Sequence, residues 1–308
     1  MAEYDEMPDY SFFASDAEGV TKVLAGFKPD AMHPGGDYIH RFIDGGVLQP
    51  IDTDRLSNWP DIAPISHNLG QPVVDGKRYF VPDGFGASSL IYRTDLVDPS
   101  YVDESSWSIL YDDRYAGRLA FYDSDRSAVV VAALVHGFDN PFSLTDAQLA
   151  ELRPLLEKQR DLAKFYWTDI TQLEQAMAQG EVVASYAWNQ SYQMLLSEGV
   201  PVKYVAPKEG NLAFFEGWMI HKDATDLDRI YAFIDAFLAP ESGAWLMDNY
   251  GYGTFNLKSY DLLPPERIAE LGYSNIEAYL ETVIFFSNLD PAVEAKYEEL
   301  YTEVLAGA

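Results

Sequence analysis

A chain of 308 residues has room for two domains of ordinary size, and with 48% apolar residues it can bury a sizeable core. Its 49 acidic against 21 basic side chains give a formal net charge of −28, a field that repels nucleic acid and anionic lipid and attracts cations. The absence of cysteine excludes disulfides, thiolate metal sites and cysteine nucleophiles.

In chain order, the start MAEYDEMPDY is acidic and lacks the form of a signal peptide, so the chain reads either as cytoplasmic or as one whose signal has been removed. DYSFFAS reads as a strand. DAEGVTKVLAGF reads as a helix with Ser15 or Asp16 as N-cap. PDAMHP is a short strand ending at Pro34, and GDYIHRFIDGGVLQPID a helix broken at Gly45-Gly46 followed by a strand. KRYFVPDGFGASSLIYRTDL reads as two strands around a Gly-rich bend. GRLAFYDSDRSAVVVAALVHGF gives a strand, a polar turn and a helix; its apolar run Ala128–Val135 is far short of the ~20 residues that span a bilayer. LTDAQLAELRPLLEKQRDLAKFYW is one long helix with Leu149, Leu152, Leu155 and Leu156 on one face. LEQAMAQGEVVASYAWNQSYQMLLSEG reads as helix, strand, helix. HKDATDLDRIYAFIDAFLAP reads as an amphipathic helix, and NLDPAVEAKYEELYTEVLAG as the closing one. Short strands alternating with helices predict an α/β fold.

Several strand-to-helix turns carry polar or aromatic residues: HPGGDY, DGFGASS, YDSDRS, AWNQSY and FFEGW. Ligands in open α/β sheets sit at the carboxyl ends of strands. So many such turns suit two lobes better than one sheet. In FFEGW the acid Glu216 stands among Phe214, Phe215 and Trp218, a setting for gripping a small cation against an aromatic wall; read as plain structure it is a solvated turn residue. Trp188, with Asn189 and Gln190 beside it, reads as a cleft aromatic or as core. Tyr252 lies between glycines that let the backbone approach a ligand, or make a tight turn. In YDSDRS, Ser124 or Asp125 caps a helix whose N-terminus, with Arg126, could also hold an anionic group. Asp37 reads as the cap of YIHRFI. The five histidines form no HxH or HxxxH pair, so no metal site is expected, and no GxSxG, Walker A or GxGxxG motif is present.

At VLQPIDTDRLSNWPDI, RYFVPDGFGASSLIYRTD, SYAWNQSY, PKEGNLAFFEGWMI and GYGTFN, the chain resembles the polyamine-type (spermidine/putrescine-like) extracellular solute-binding proteins of ABC importers. The likeness runs in the family's order from about Phe12 to the C-terminus. It implies an α/β, two-lobed periplasmic-binding-protein fold of type II, with a cleft between lobes closed by a hinge. It implies lobe 1 at 1–88 and 215–260 and lobe 2 at 89–214 and 261–308, with crossings near Ala87–Leu90 and Phe214–Gly217. The family's cleft aromatic falls on Trp188 with Asn189 beside it, its aromatic-and-acid pair on Phe214 and Glu216, and its late tyrosine on Tyr252. Its serine-and-tyrosine loop falls on Gly35 and Asp37, its two further acids on Ser124 and Ser127, and a late glutamine on Ser287, all departures. The family's first strand and its Trp/Tyr platform have no counterpart here. The implied function is binding of a small amine-containing solute and its delivery to a membrane permease. The alternatives are a zwitterionic or anionic solute, amino-acid or phosphonate-like, and an enzyme on the same scaffold. No catalytic residue, cofactor or metal is expected. The chain reads as a periplasmic monomer, its signal removed, with no nucleic-acid partner.

Overall fold

A computed structural model describes residues 8–13 and 15–307. The chain forms two compact units. The first takes the described residues up to Phe85 with Phe214–Glu281 and Phe286–Asn288; the second takes Gly86–Ala213, Thr282–Phe285 and the residues from Leu289 onward. Residues 261–281, expected in lobe 2, group with the first unit. The reason is local: Tyr273 donates to the Gly251 carbonyl at 3.1 Å and packs edge-on to Phe85 at 5.9 Å, and Arg267 pairs with Asp248 at 3.1 Å.

The first unit is built around residues 214–221 of the strand Asn211–His221. Ala31–Met32 and Leu48–Gln49 pair antiparallel with it, Val81–Arg93 lies on its other side, and Gly253–Thr254 pairs with Phe85 and Gly84. Ser15 opens the helix Asp16–Leu24 by accepting from the Glu18 amide at 3.2 Å. Gly217 is required by close approach: a Cβ there would collide with the Val81 carbonyl and the Pro82 backbone of the neighbouring strand. Helix Leu227–Phe237 buries Ile230, Tyr231 and Ile234, and the Tyr231 hydroxyl accepts from the Asp52 amide at 2.7 Å.

In the second unit, Val81–Arg93 pairs antiparallel with Ala184–Trp188 and Val202–Val205. Leu119–Tyr122 runs parallel to both Ala163–Trp167 and Ala184–Trp188. Helices Asp125–His136, Asp146–Leu162 and Pro291–Ala306 share an apolar cluster centred on Val129, Leu152, Leu156 and Tyr297. A capping box of Thr145 and Gln148 starts the middle helix.

Four local expectations change. The Gly-rich stretch DGFGASS does not bend: Val81–Arg93 is one strand of 13 residues, because partners flank it along its length. Asp9–Phe13 takes no regular structure and Phe12 is 87% exposed. The long helix stops at Leu162, where AKFYW turns extended and pairs with Leu119–Tyr122. His221 ends a strand, and the helix after it begins only at Leu227.

Candidate functional site

Strand alternation puts Phe214, Glu216 and Trp218 on one face of Asn211–His221 and Phe215, Gly217 and Met219 on the other. Phe215 is buried. It meets Phe80 edge-on at 6.0 Å and lies so close to Gly36 that a Cβ there would overlap its ring. The register sets Ala31 opposite Ile220, Met32 opposite Met219 and Gly35 opposite Glu216, so on the first face His33 stands opposite Trp218. The His33 and Trp218 rings are 4.6 Å apart.

Asp83, from the neighbouring strand, joins this face. It accepts from His33 Nε2 at 2.9 Å and from Trp218 Nε1 at 3.0 Å. Phe237 covers the pair, 4.8 Å from Trp218 and 6.4 Å from His33. Burial pulls the His33 imidazolium down, but Asp83, with Glu216 and Asp16 behind it, overrides this and holds the group up at about 9. Glu216 is the converse. Burial pushes its carboxyl up, His33 pulls it down, and the Asp83, Asp16 and Asp37 carboxylates push it further up, to about 7. Among the described residues no hydrogen bond is donated to the Glu216 carboxyl. Opposite it, Gly35 offers no side chain. A Cβ there would sit 2.8 Å from Asp37 Oδ1 and 3.0 Å from Asp16 Oδ2, so both carboxylates border the space. Asp16 also accepts from the Gly35 amide at 3.0 Å, which ties helix Asp16–Leu24 to this turn. Asp37 itself sits in a 3-10 turn, Gly36–Tyr38, and the N-cap position of the helix Ile39–Asp44 is Tyr38 rather than Asp37.

Phe214, at the other end of the same face, meets Tyr252 edge-on at 5.5 Å. Glycines fix Tyr252 from both sides. Gly251 takes a left-handed φ of 71° to end helix Pro240–Tyr250, and a Cβ on Gly253 would overlap Phe85. Ser287 lies in the first unit, where its neighbour Asn288 donates to the Gly70 carbonyl at 2.9 Å. No hydrogen bond or ring contact among the described residues joins Ser287 to Glu216 or Tyr252.

In the second unit, three parallel strands end on aromatic residues: Tyr122, Trp167 and Trp188. Trp188 meets Tyr122 at 5.2 Å and Trp167 at 5.1 Å, both edge-on; Trp167 is buried, whereas Trp188 is only partly buried. Asn189 opens the following helix and accepts from the Ala87 amide at 2.7 Å, so its side chain fastens the strand beside it. Ser124 caps helix Asp125–His136, accepting from the Ser127 amide at 3.2 Å. Arg126 departs from the anion-binding reading. It is buried, and its guanidinium pairs with Glu294 at 2.9 Å. Of the expected residues, the structure thus gathers Glu216 and Asp37 round Gly35, sets Phe214 against Tyr252, and turns Ser124, Asn189 and Arg126 to structural bonds. The sequence reading missed His33, Asp83 and Asp16. Their signal was present in HPGG, VPDG and SDAEG, but only the strand register and the Asp16 bond to Gly35 show that they face one acid.

The sequence profile of the family described as "Bacterial extracellular solute-binding protein" matches residues 16–271. The chain belongs to that family. Among its relatives is the "Spermidine/putrescine-binding periplasmic protein" of Escherichia coli, 27% identical over 284 residues, which cover 90% of this chain and 78% of the relative. Another is the "Putrescine/agmatine-binding protein" of Pseudomonas aeruginosa, 29% identical over 240 residues, 72% of this chain and 63% of the relative. The solved structure of the spermidine/putrescine ABC transporter substrate-binding protein PotD from Streptococcus pneumoniae superposes with a TM-score of 0.81 at 24% identity, covering 96% of this chain and 90% of that one. This solute-binding protein therefore has the α/β, two-lobed fold of periplasmic binding proteins. No helix among its described residues is long and apolar enough to cross a membrane.

Proposed function

We propose that this solute-binding protein takes up a small amine-containing solute outside the cytoplasmic membrane, as a monomer, and delivers it to the permease of an ABC importer. One observation carries the choice of an amine: the partly buried Glu216 carboxyl, which receives no hydrogen bond among the described residues and faces Gly35 in place of a side chain. An ammonium group in that space would supply the missing donors and the missing charge. Phe214 and Tyr252, in edge contact on the same unit, offer ring faces to a cation or to its methylene chain. The relatives named for spermidine, putrescine and agmatine support this solute class. The anionic alternative would need a free cation, and Arg126 is already paired with Glu294. A carrier of this kind needs no nucleophile or general base, and turnover is not part of the proposed role.

Calorimetric titration of the purified chain with putrescine, spermidine and agmatine at about pH 8, above the Glu216 value of about 7, tests the reading. Saturable 1:1 binding of at least one of them is expected. A folded protein that binds none of the three overturns it.

A further inference from the structure

We propose that His33 is a positioning residue for Glu216: fixed by Asp83 and Trp218 on the same sheet face, its imidazolium keeps the Glu216 side chain in the anionic form that receives the solute's ammonium. The inference rests on the amine-binding reading above and names a residue that acts through Glu216 rather than on the solute.

His33 stands opposite Trp218, and Glu216 is one same-face position further along the partner strand. His33 and Glu216 are therefore diagonal neighbours, a relation in which residues lie ~7–8 Å apart and their Cβ atoms somewhat closer. The position directly opposite Glu216 is Gly35, which has no side chain to screen one from the other. Asp83 then fixes the imidazole. It accepts from both His33 Nε2 and Trp218 Nε1, and the Trp218 and Phe237 rings pack against the imidazole. Swinging His33 away from Glu216 would break its bond to Asp83 and its ring contacts together.

The groups acting on Glu216 from the surrounding elements are Asp16 at the start of helix Asp16–Leu24, Asp37 in the turn after Gly35, Asp83 on the adjacent strand, and His33. The three aspartates disfavour a further negative charge; His33 is the cationic member of this set. Without it four carboxylates would share one small region, and carboxylates crowded in this way keep one another protonated. A protonated Glu216 cannot be the counter-charge of an ammonium. With His33 held near 9 and Glu216 near 7, the imidazolium–carboxylate arrangement prevails at pH 8.

Carbon-13 NMR titration of side chains in the ligand-free protein reads the Glu216 midpoint directly, and putrescine titrations at several pH values read binding. His33→Gln is expected to move the Glu216 midpoint upward by about one to two pH units and to carry the rise of putrescine affinity with pH along with it. A purely structural role would weaken binding by the same factor at every pH and leave the midpoint where it was; that result overturns the proposal. Should His33→Gln fail to fold, Glu216→Gln tests the same coupling from the other side, because it is reciprocal. The His33 midpoint then falls by the same amount, and an unmoved His33 midpoint overturns the proposal. If the parent protein binds no putrescine at any pH, the amine reading fails, while the NMR midpoints still decide whether His33 governs Glu216.

Discussion

Gly35 stands directly opposite Glu216 across the antiparallel pairing, so the only acid on the strand Asn211–His221 faces no cross-strand side chain. The Cβ position of Gly35 is bordered by Asp16 and Asp37. Gly35 has an ordinary φ of −58°, so a larger residue is tolerated by the backbone and penalised only by what it meets. Gly35→Ala should therefore fold. Its methyl group would push the Asp37 and Asp16 carboxylates outward and fill the space proposed for the ammonium. Putrescine affinity is expected to fall about tenfold or more, equivalent to about 1.4 kcal/mol, with little change in the unfolding temperature. Undiminished affinity would place the ammonium elsewhere.

Glu216→Gln should separate binding from stability. It removes the counter-charge of a bound cation, a loss of about 2–5 kcal/mol in desolvated settings, or tens- to thousands-fold in affinity. In the ligand-free protein the same change relieves a carboxylate that burial makes costly to ionise. Stability at pH 8 is expected to rise by an amount on the order of 1–3 kcal/mol. Chemical denaturation and calorimetry on one preparation check both halves. A variant that binds as tightly as the parent would make Glu216 a bystander.

The ligand-free protein should lose stability as pH rises through the neutral range. The folded Glu216 binds its proton up to about 7 against an ordinary value of 4.5, and the folded His33 up to about 9 against 6.5. Across both windows the folded state holds more protons than the unfolded one, so the contribution is full below each ordinary value and gone above each raised one. The unfolding temperature should decline between about pH 5 and pH 9. The part below neutrality should flatten in Glu216→Gln, whereas in His33→Gln the His33 contribution disappears and the Glu216 decline extends above neutrality. Scanning calorimetry of the three proteins over that range decides the point; parallel curves would remove both groups from the account.

Arg126→Met should damage the fold and spare the site. It would remove the ion pair that joins helices Asp125–His136 and Pro291–Ala306 through Glu294. Breaking a largely buried pair in this way costs about 2–4 kcal/mol. Solute affinity of the folded fraction is expected to match the parent. A selective loss of affinity with full stability would return Arg126 to the binding surface.

By itself the sequence determined what depends on neighbours a few residues apart. The α/β alternation, an N-cap at Ser15 or Asp16 and the strand-turn-helix at YDSDRS follow from periods of two and 3.6 residues and from short capping bonds, whereas FFEGW, read as a strand-to-helix turn, lies within the strand Asn211–His221. Even Glu216 as the acid of interest was legible, since a charge among rings is costly without a partner. Only the tertiary structure decided which groups surround it. Asp83 meets Trp218 across 135 residues and His33 across 50, and Arg126 finds Glu294 across 168. Those meetings are set by strand register and helix packing, where a shift of one residue would turn His33 to the opposite face, and no local pattern records the register.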